Sequence, residues 1–175
     1  MFQILKLTGL SYLKNIYDIG EFIIQIKDKL ITNQTEIDEI IRSCLVCRVG
    51  FSVNDQPYIV PLNFGYDGHN LYFHTSREGQ KIDMIRTNDT VCFEFDTAVQ
   101  IVPDDTIACK WTCRYKSVIG FGRIGELKIE PDRISGLNQI MKHYSGQSWD
   151  FDDRILKKAR IWRLNIEKIT AKQSV

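Results

Sequence analysis

The spacing of apolar positions changes along the chain, and each change marks an element. In TNQTEIDEIIRSC, Ile37, Ile40, Ile41 and Cys44 recur three and four residues apart. Thr35 stands where an N-cap would, and Glu36, Asp38 and Glu39 fill the first turn, where the helix dipole favours anions. The spacing predicts a short amphipathic helix. LVCRVGFSV and PYIVPLNFGY then read as strands rich in Val, Ile, Phe and Tyr, joined by the polar NDQ. The Asp-Gly of DGH, after Tyr66, signals a tight primed turn. NLYFHT is therefore expected to run back beside PLNFGY, giving three antiparallel strands before residue 76.

A helix of two or three turns is predicted over Glu78 to Arg86, with Ile82 and Ile85 on one face. VCFEFDT reads as a strand and IVPDDTIA, with Pro103 and paired aspartates, as a loop. A long strand follows from about Thr112 to Leu127. Its Gly120, Gly122 and Gly125 mark places where a strand bends or another backbone comes close. Pro131 suits a first helical position, and Ile134, Leu137, Ile140, Met141 and Tyr144 follow at helical spacing. ARIWRLNIEKI, with Ile161, Leu164 and Ile166, is expected to close the fold as a strand. About six strands, three short helices and no strand–helix–strand alternation favour a mainly β fold, an antiparallel barrel with peripheral α-helices.

Residues 1–29 lie outside this pattern. Lys6, Lys14, Asp18, Glu21 and Lys27 interrupt every apolar window, so no run of ~20 uncharged residues is available to span a membrane. They read as an N-terminal extension, packed on the surface or partly disordered, with a surface amphipathic helix or an over-long reading frame as alternatives. Residues 30–175 read as one domain, long enough to bury roughly two thirds of its unfolded surface without staples.

Charge narrows the partners. Twenty-three Lys and Arg against 22 Asp and Glu leave a net charge of +1, which argues against a sequence-independent nucleic-acid binder. The five cysteines are an odd number, and no secretory signal pattern precedes them. The expectation is a cytoplasmic protein with free thiols. Cys44, Cys47, Cys109 and Cys113 have the composition of a zinc site but are not set in the tight glycine-bearing turns such ligands use. His69 reads as a solvated turn residue, and His143 suits the negative pole of the long helix. KHYSGQSWDFDDR reads as a polar loop and LKKAR as an exposed basic patch.

The candidate chemistry is concentrated in YFHTSREGQKIDMI. Here a strand ending in hydroxyl residues feeds a helix, which offers unpaired N–H groups and the positive end of a dipole. Lys81 and Arg77 add cations, and Thr75 and Ser76 add neutral donors, so the junction has the makings of an anion site. A solvated basic helix start has the same composition. No Ser-His-Asp or Cys-His arrangement is visible in the spacing.

The succession PYIVPLNFGYDGHNLYFHTSREGQKIDMIRTNDTVCFEF, then RYKSVIGFGRIGEL, then the long helix and IWRLNIEKITAK, resembles the flavin-binding split-barrel superfamily of the pyridoxamine phosphate oxidases, nearest its nitroimidazole-resistance family. The resemblance spans about Leu30 to Lys172. It implies a six-stranded split barrel, and FMN, or FAD, bound at a homodimer interface. It also implies that Ile59, Val60, Pro61, Leu62, Asn63 and Phe64 lie along the flavin, with His74 and Thr75 in contact with it. Gln80 and Lys81 match the positions that hold the flavin phosphate. The oxidases carry arginine where Gln80 stands, which makes Arg77 a candidate replacement beside Ser76. Ser117 matches a polar position facing the cofactor from the side. Trp111, Trp149 and Trp162 are candidates for an aromatic wall supplied by a second copy, although each equally suits strand packing.

The oxidases end in a region that grips pyridoxamine phosphate, and IWRLNIEKITAKQSV has no such ending. The implied activity is therefore flavin-dependent reduction of a nitroimidazole or similar small electrophile, with His74 as proton donor. Alternatives are a flavin-binding or sensing module without turnover, a pyridoxamine phosphate oxidase-like oxidase, and a structural or metal-binding barrel.

Overall fold

The computed structural model describes residues 29–174, so the expectation for the N-terminal extension falls outside the described residues up to residue 28. In order, the elements are β1 (Leu30–Ile31), α1 (Gln34–Ser43), β2 (Cys47–Val53), β3 (Gln56–Leu62), β4 (Gly65–Tyr66), β5 (Asn70–Thr75), α2 (Gln80–Thr87) and β6 (Thr90–Val102). After a 3₁₀ turn at Ala108–Lys110 come β7 (Thr112–Glu126), α3 (Glu130–Ser145), α4 (Asp153–Lys158) and β8 (Arg160–Ser174). The strands form one antiparallel sheet in the order β3-β2-β6-β7-β8-β5-β4, with β1 added to β8. Six strands are six residues or longer, and β1 and β4 are two-residue additions. β3 and β4 end the path without pairing with each other, which leaves the barrel split, with helices at its periphery.

Inward positions of β2, β5, β6 and β7 supply Val49, Phe73, Phe93, Phe95 and Val118, all fully buried. Ile37, Ile40 and Ile41 of α1 and Ile82, Met84 and Ile85 of α2 complete this core. The N-cap of α1 is Asn33 rather than Thr35, because the Asn33 carboxamide oxygen accepts from the Glu36 N–H at 3.2 Å.

Asn54 and Asp55 both take positive φ, 50° and 61°, as a two-residue primed turn requires, and β2 pairs with β3 from Val53↔Gln56 to Cys47↔Leu62. The expected pairing of NLYFHT with PLNFGY holds only for Gly65 and Tyr66, opposite Tyr72 and Leu71. β5 instead pairs along its whole length with β8. The cause is α3: a Cβ on Gly65 would lie 2.3 Å from the Gln139 backbone, so the helix sits against β4 and Asn63–Phe64 turn away from the β5 line.

β6 continues through AVQIV, beyond the expected VCFEFDT, across an irregularity at Ala98 (φ 56°), because Gln100–Val102 find partners in Arg114–Thr112 of β7. On β7, a Cβ at Gly120 would meet Phe93 at 2.2 Å and one at Gly122 the Asn165 carbonyl oxygen at 2.1 Å, whereas Gly125 faces open space. Ile161 does not alternate with Leu164 into the main core. It joins Leu137 and Leu156 in a second cluster beneath α3 and α4. Burial of Leu156 gives α4 its anchor, in a stretch expected to be a polar loop and basic patch.

Candidate cofactor site

Leu71, Phe73 and Thr75 of β5 point inward, and His74, between them, is exposed. The Thr75 hydroxyl accepts from the Trp162 indole N–H at 2.9 Å and donates to the Ser76 carbonyl at 2.8 Å. The Ser76 hydroxyl donates to the Glu78 carbonyl at 2.9 Å. Both hydroxyl protons are thus spent on shaping the turn. Trp162 is buried packing, while Trp111 and Trp149 are half exposed. Trp111 is held by its indole N–H to the Asp104 carbonyl at 2.6 Å, and Trp149 by its indole N–H to the Ser145 hydroxyl at 3.0 Å.

The turn delivers the chain to Gly79, at φ 125° and ψ 166°, a region essentially restricted to glycine. Its carbonyl accepts the Ile82 N–H at 2.8 Å, but no side chain caps α2. The first N–H groups of a helix have no acceptor within it. A Cβ on Gly79 would meet nothing within 4 Å, so the space before them is open. Lys81 follows in the first turn, half-buried, with Gln80 exposed beside it. Arg77 is turned the other way: its guanidinium donates to the Lys157 carbonyl of α4 at 2.6 Å.

β3 has a different surface. Tyr58, Val60 and Leu62 lean inward, and Pro57, Ile59 and Pro61 face out, Ile59 being 67% exposed. As β3 pairs only with β2, its other edge is free. Prolines on an edge strand place their donor-less nitrogens outward, so Ile59, which shares their parity, carries the outward N–H between them. Asn63 is exposed. The Phe64 ring is fully buried, 4.9 Å from that of Phe95, and its N–H donates to the Tyr144 hydroxyl at 3.1 Å. That hydroxyl donates in turn to the Leu45 carbonyl at 2.7 Å.

His143 joins the same clamp. Its Nε2 lies 2.8 Å from the Cys44 carbonyl and its ring 4.2 Å from Phe64. Burial holds its pKa below the usual histidine value, helped by the Arg42 charge and opposed by the Cys44 carbonyl. Burial therefore outweighs the helix pole that spacing alone suggested. Sequence reasoning missed the positioning role of His143 and Tyr144, because adjacent residues at a helix end show no period that points to a distant carbonyl.

An apolar groove of about 520 Å³ runs over the outer face of β3, β2, β6 and β7, lined by Gly50, Ile59, Cys92 and Phe121 among others. Arg48 bridges Glu94, at 3.2 Å, and Asp96 on the same face. Burial and the Asp96 charge raise the Glu94 pKa, against the opposing effect of Arg48. Ser117 stands on this face opposite Asp96, buried, its hydroxyl without a partner among the described residues. Ser117 and Thr75 are at opposite ends of β8: their partners there, Lys172 and Arg160, are 12 positions apart (172 − 160). One chain thus joins His74, Thr75, Ser76, Gln80 and Lys81 in a single junction and leaves Ser117 at a distance from it.

No group of three or more His, Cys, Asp or Glu side chains among the described residues is placed to hold a metal ion. Cys44 and Cys47 are buried, and Cys109 and Cys113 are exposed. No helix among the described residues is long and apolar enough to cross a membrane.

Known proteins superpose on this fold. A Bacteroides thetaiotaomicron VPI-5482 protein, provisionally named a 5-nitroimidazole antibiotic resistance protein, superposes with a TM-score of 0.74 at 28% identity, over 82% of this chain and 86% of that one. The FAD and heme binding protein of Mycobacterium smegmatis gives a TM-score of 0.74 at 16% identity, covering 83% and 73%. An FAD-binding protein of Mesorhizobium loti gives 0.63 at 22%, covering 84% and 98%. These last two share the fold. An uncharacterised protein of Rhizobium meliloti (strain 1021) is 30% identical over 97 residues, which are 55% of this chain and 56% of that protein. The chain thus spans little more than half the length of that curated relative. The sequence profile described as pyridoxamine 5'-phosphate oxidase matches residues 33–173, and on that match, which takes in the edge strand, the junction and the closing strand, the chain belongs to the pyridoxamine 5'-phosphate oxidase family.

Proposed function

We propose that this protein binds a flavin at the β5–α2 junction and along the free edge of β3, and works as a homodimeric, flavin-dependent reductase of nitroimidazoles or similar small electrophiles. The observation that carries the reading is the uncapped start of α2, where Gly79 opens the first N–H groups to solvent and Lys81 stands in the first turn. Phosphate is the group such a terminus holds best. The names of the Mycobacterium smegmatis and Mesorhizobium loti structures point to a flavin, and that of the Bacteroides structure to nitroimidazoles.

The residues present fit a flavin. Lys81 and the N–H groups of Gln80 and Lys81 would hold its phosphate. Arg77, engaged with α4, leaves Lys81 to act as the cation there. Along β3, the Ile59 backbone and the outward faces of Pro57 and Pro61 would take the ring, and the apolar groove beginning at Ile59 suits its bulk. When bound, the flavin supplies the electron transfer. His74, exposed at the end of β5, would hold the proton delivered to the reduced substrate.

A homodimer is favoured by two features. The outer face leaves Ile59 and Phe121 uncovered, and the orphaned Ser117 hydroxyl lies far along β8 from the junction. A two-fold related copy would bring its own Ser117 face toward the flavin of the first.

The visible spectrum of the purified protein, with mass identification of what denaturation releases, tests the cofactor. A yellow protein releasing FMN or FAD is expected, and a colourless one that takes up neither overturns the reading. For the reaction, bound flavin is reduced under anaerobic conditions and a nitroimidazole is added. Reoxidation is expected. Flavin that stays reduced removes the reductase assignment while leaving flavin binding in place.

A further inference from the structure

A second cavity, of about 260 Å³, opens on the side of Arg77 that faces α4. Its described lining carries five cations, Arg77, Lys128, Arg133, Lys157 and Arg160, against one carboxylate, Glu126, an excess of four positive charges (5 − 1). The whole chain carries only +1, so the residues outside this lining sum to −3 (1 − 4). Three of the cations are fixed in place. Arg77 donates to the Lys157 carbonyl at 2.6 Å. Arg133 donates through Nη2 to the Leu156 carbonyl and to the Ala159 carbonyl at 3.2 Å. Arg160 donates through Nε to the Arg77 carbonyl at 2.8 Å and through Nη1 to Glu126 at 2.6 Å.

Closing the last carbonyls of α4 accounts for Arg77 and Arg133, and Glu126 accounts for Arg160. Neither accounts for Lys128 and Lys157 on the same rim. The bonds described engage no more than two nitrogens of each guanidinium, which has five N–H donors. Like charges gathered on one cavity near a protein surface repel one another, and an anion among them relieves that repulsion. The remaining wall, Leu127, Leu156 and Ala159, is apolar and suits the sugar or base of a nucleotide.

Position adds to charge. Arg77 precedes Gly79 by two residues, so their Cα atoms are at most about 7 Å apart. The cavity and the start of α2 thus share one turn of the chain, with Arg77 reaching into the first and Gly79 opening the second. We infer that the Arg77–Arg133–Arg160 cavity is a subsite for the phosphate groups of a nucleotide, either a free nucleoside diphosphate or the adenylyl half of a dinucleotide flavin. The subsite stands on its own charges, and only the second source rests on the flavin reading.

The test uses ADP as probe, titrated calorimetrically into protein saturated with FMN. ADP is expected to bind, more weakly as NaCl is raised, and adenosine to bind at least tenfold less tightly. In Lys128→Ala/Lys157→Ala, ADP affinity is expected to fall about tenfold with no loss of thermal stability, since neither lysine side chain makes a described bond and the remaining cations repel less. ADP that binds no better than adenosine, or as tightly to the double variant as to the natural chain, overturns the subsite. ADP binding by FMN-loaded but not FAD-loaded protein assigns the subsite to the adenylyl half, and binding by both assigns it to a free nucleotide. A chain that takes up no flavin yet binds ADP through these lysines supports the subsite while the flavin reading fails.

Discussion

Two helix starts in this chain are built oppositely. α1 is finished by its own sequence: Asn33 caps it through its side chain, and Glu36 places a negative charge in the first turn. α2 begins at a glycine in a backbone region other residues avoid, without a side-chain cap and with Lys81 as well as Asp83 in its first turn. Both helices bury three apolar residues in the same core, so packing does not distinguish them. What differs is how the first N–H groups are met, since each helix has one acidic residue in its first turn. α1 closes its start with its own side chain, whereas α2 leaves its first N–H groups open beside a cation, and its first-turn carboxylate, Asp83, is paired with Arg86 at 3.3 Å.

The sharpest way to break this contrast is Gly79→Ala. With open space around the position, only the backbone resists, and holding a non-glycine residue there costs on the order of 1–3 kcal/mol. A fall of that size in chemical denaturation is expected, together with reduced flavin retention as the first turn of α2 relaxes. If the variant is as stable as the natural chain, the backbone at residue 79 is not the constraint described. Lys81→Ala should separate function from folding. Flavin affinity is expected to fall at least tenfold, about 1.4 kcal/mol, with the melting temperature of the flavin-free protein unchanged. Equal flavin occupancy after extensive dialysis would count against the phosphate role.

Asn33→Ala is the mirror experiment. Loss of the α1 cap should cost about 1 kcal/mol of stability and leave flavin affinity as it was. A change in flavin binding would mean that the two helix starts are not independent. The smallest effect is expected at the C-terminus of α3, which Gly146 closes through its N–H to the Lys142 carbonyl and from which His143 reaches the Cys44 carbonyl. Burial depresses the His143 pKa below its unfolded value of about 6.5, so the unfolded chain binds more protons in that range. The stability conferred by keeping His143 neutral is present above pH 6.5 and is lost as pH falls from there toward the lower folded value. Melting temperature should drift down between pH 7.5 and 5.5, and His143→Gln should flatten that drift. A His143→Gln profile parallel to that of the natural chain would show the histidine to be uninvolved.

Much of this contrast was legible in the chain. The 3- and 4-residue spacing of Ile37, Ile40 and Ile41, the alternation in CRVGFSV and the strand-to-helix change after Thr75 are local signals set by side-chain direction, and each element formed where its period placed it. The details that slipped depend on partners distant in sequence. β5 chose β8 because α3 occupies the space over Gly65. β6 outran its apolar run because β7 offered a ladder. α4 condensed around Leu156. Arg77, a candidate phosphate ligand from spacing, turned to the carbonyl of Lys157, 80 residues away.

The sequence by itself determined the periods of the elements, the family and the chemistry gathered at the β5–α2 junction, because those follow from residue types within a few positions of one another. Tertiary structure alone decided which hydroxyls were spent on the turn, that Ser117 is orphaned at the far end of β8, and that five cations from four separate stretches of chain surround one cavity. Hydrogen-bond satisfaction and charge balance depend on every neighbour in space, and neighbours in space are what a linear pattern does not list.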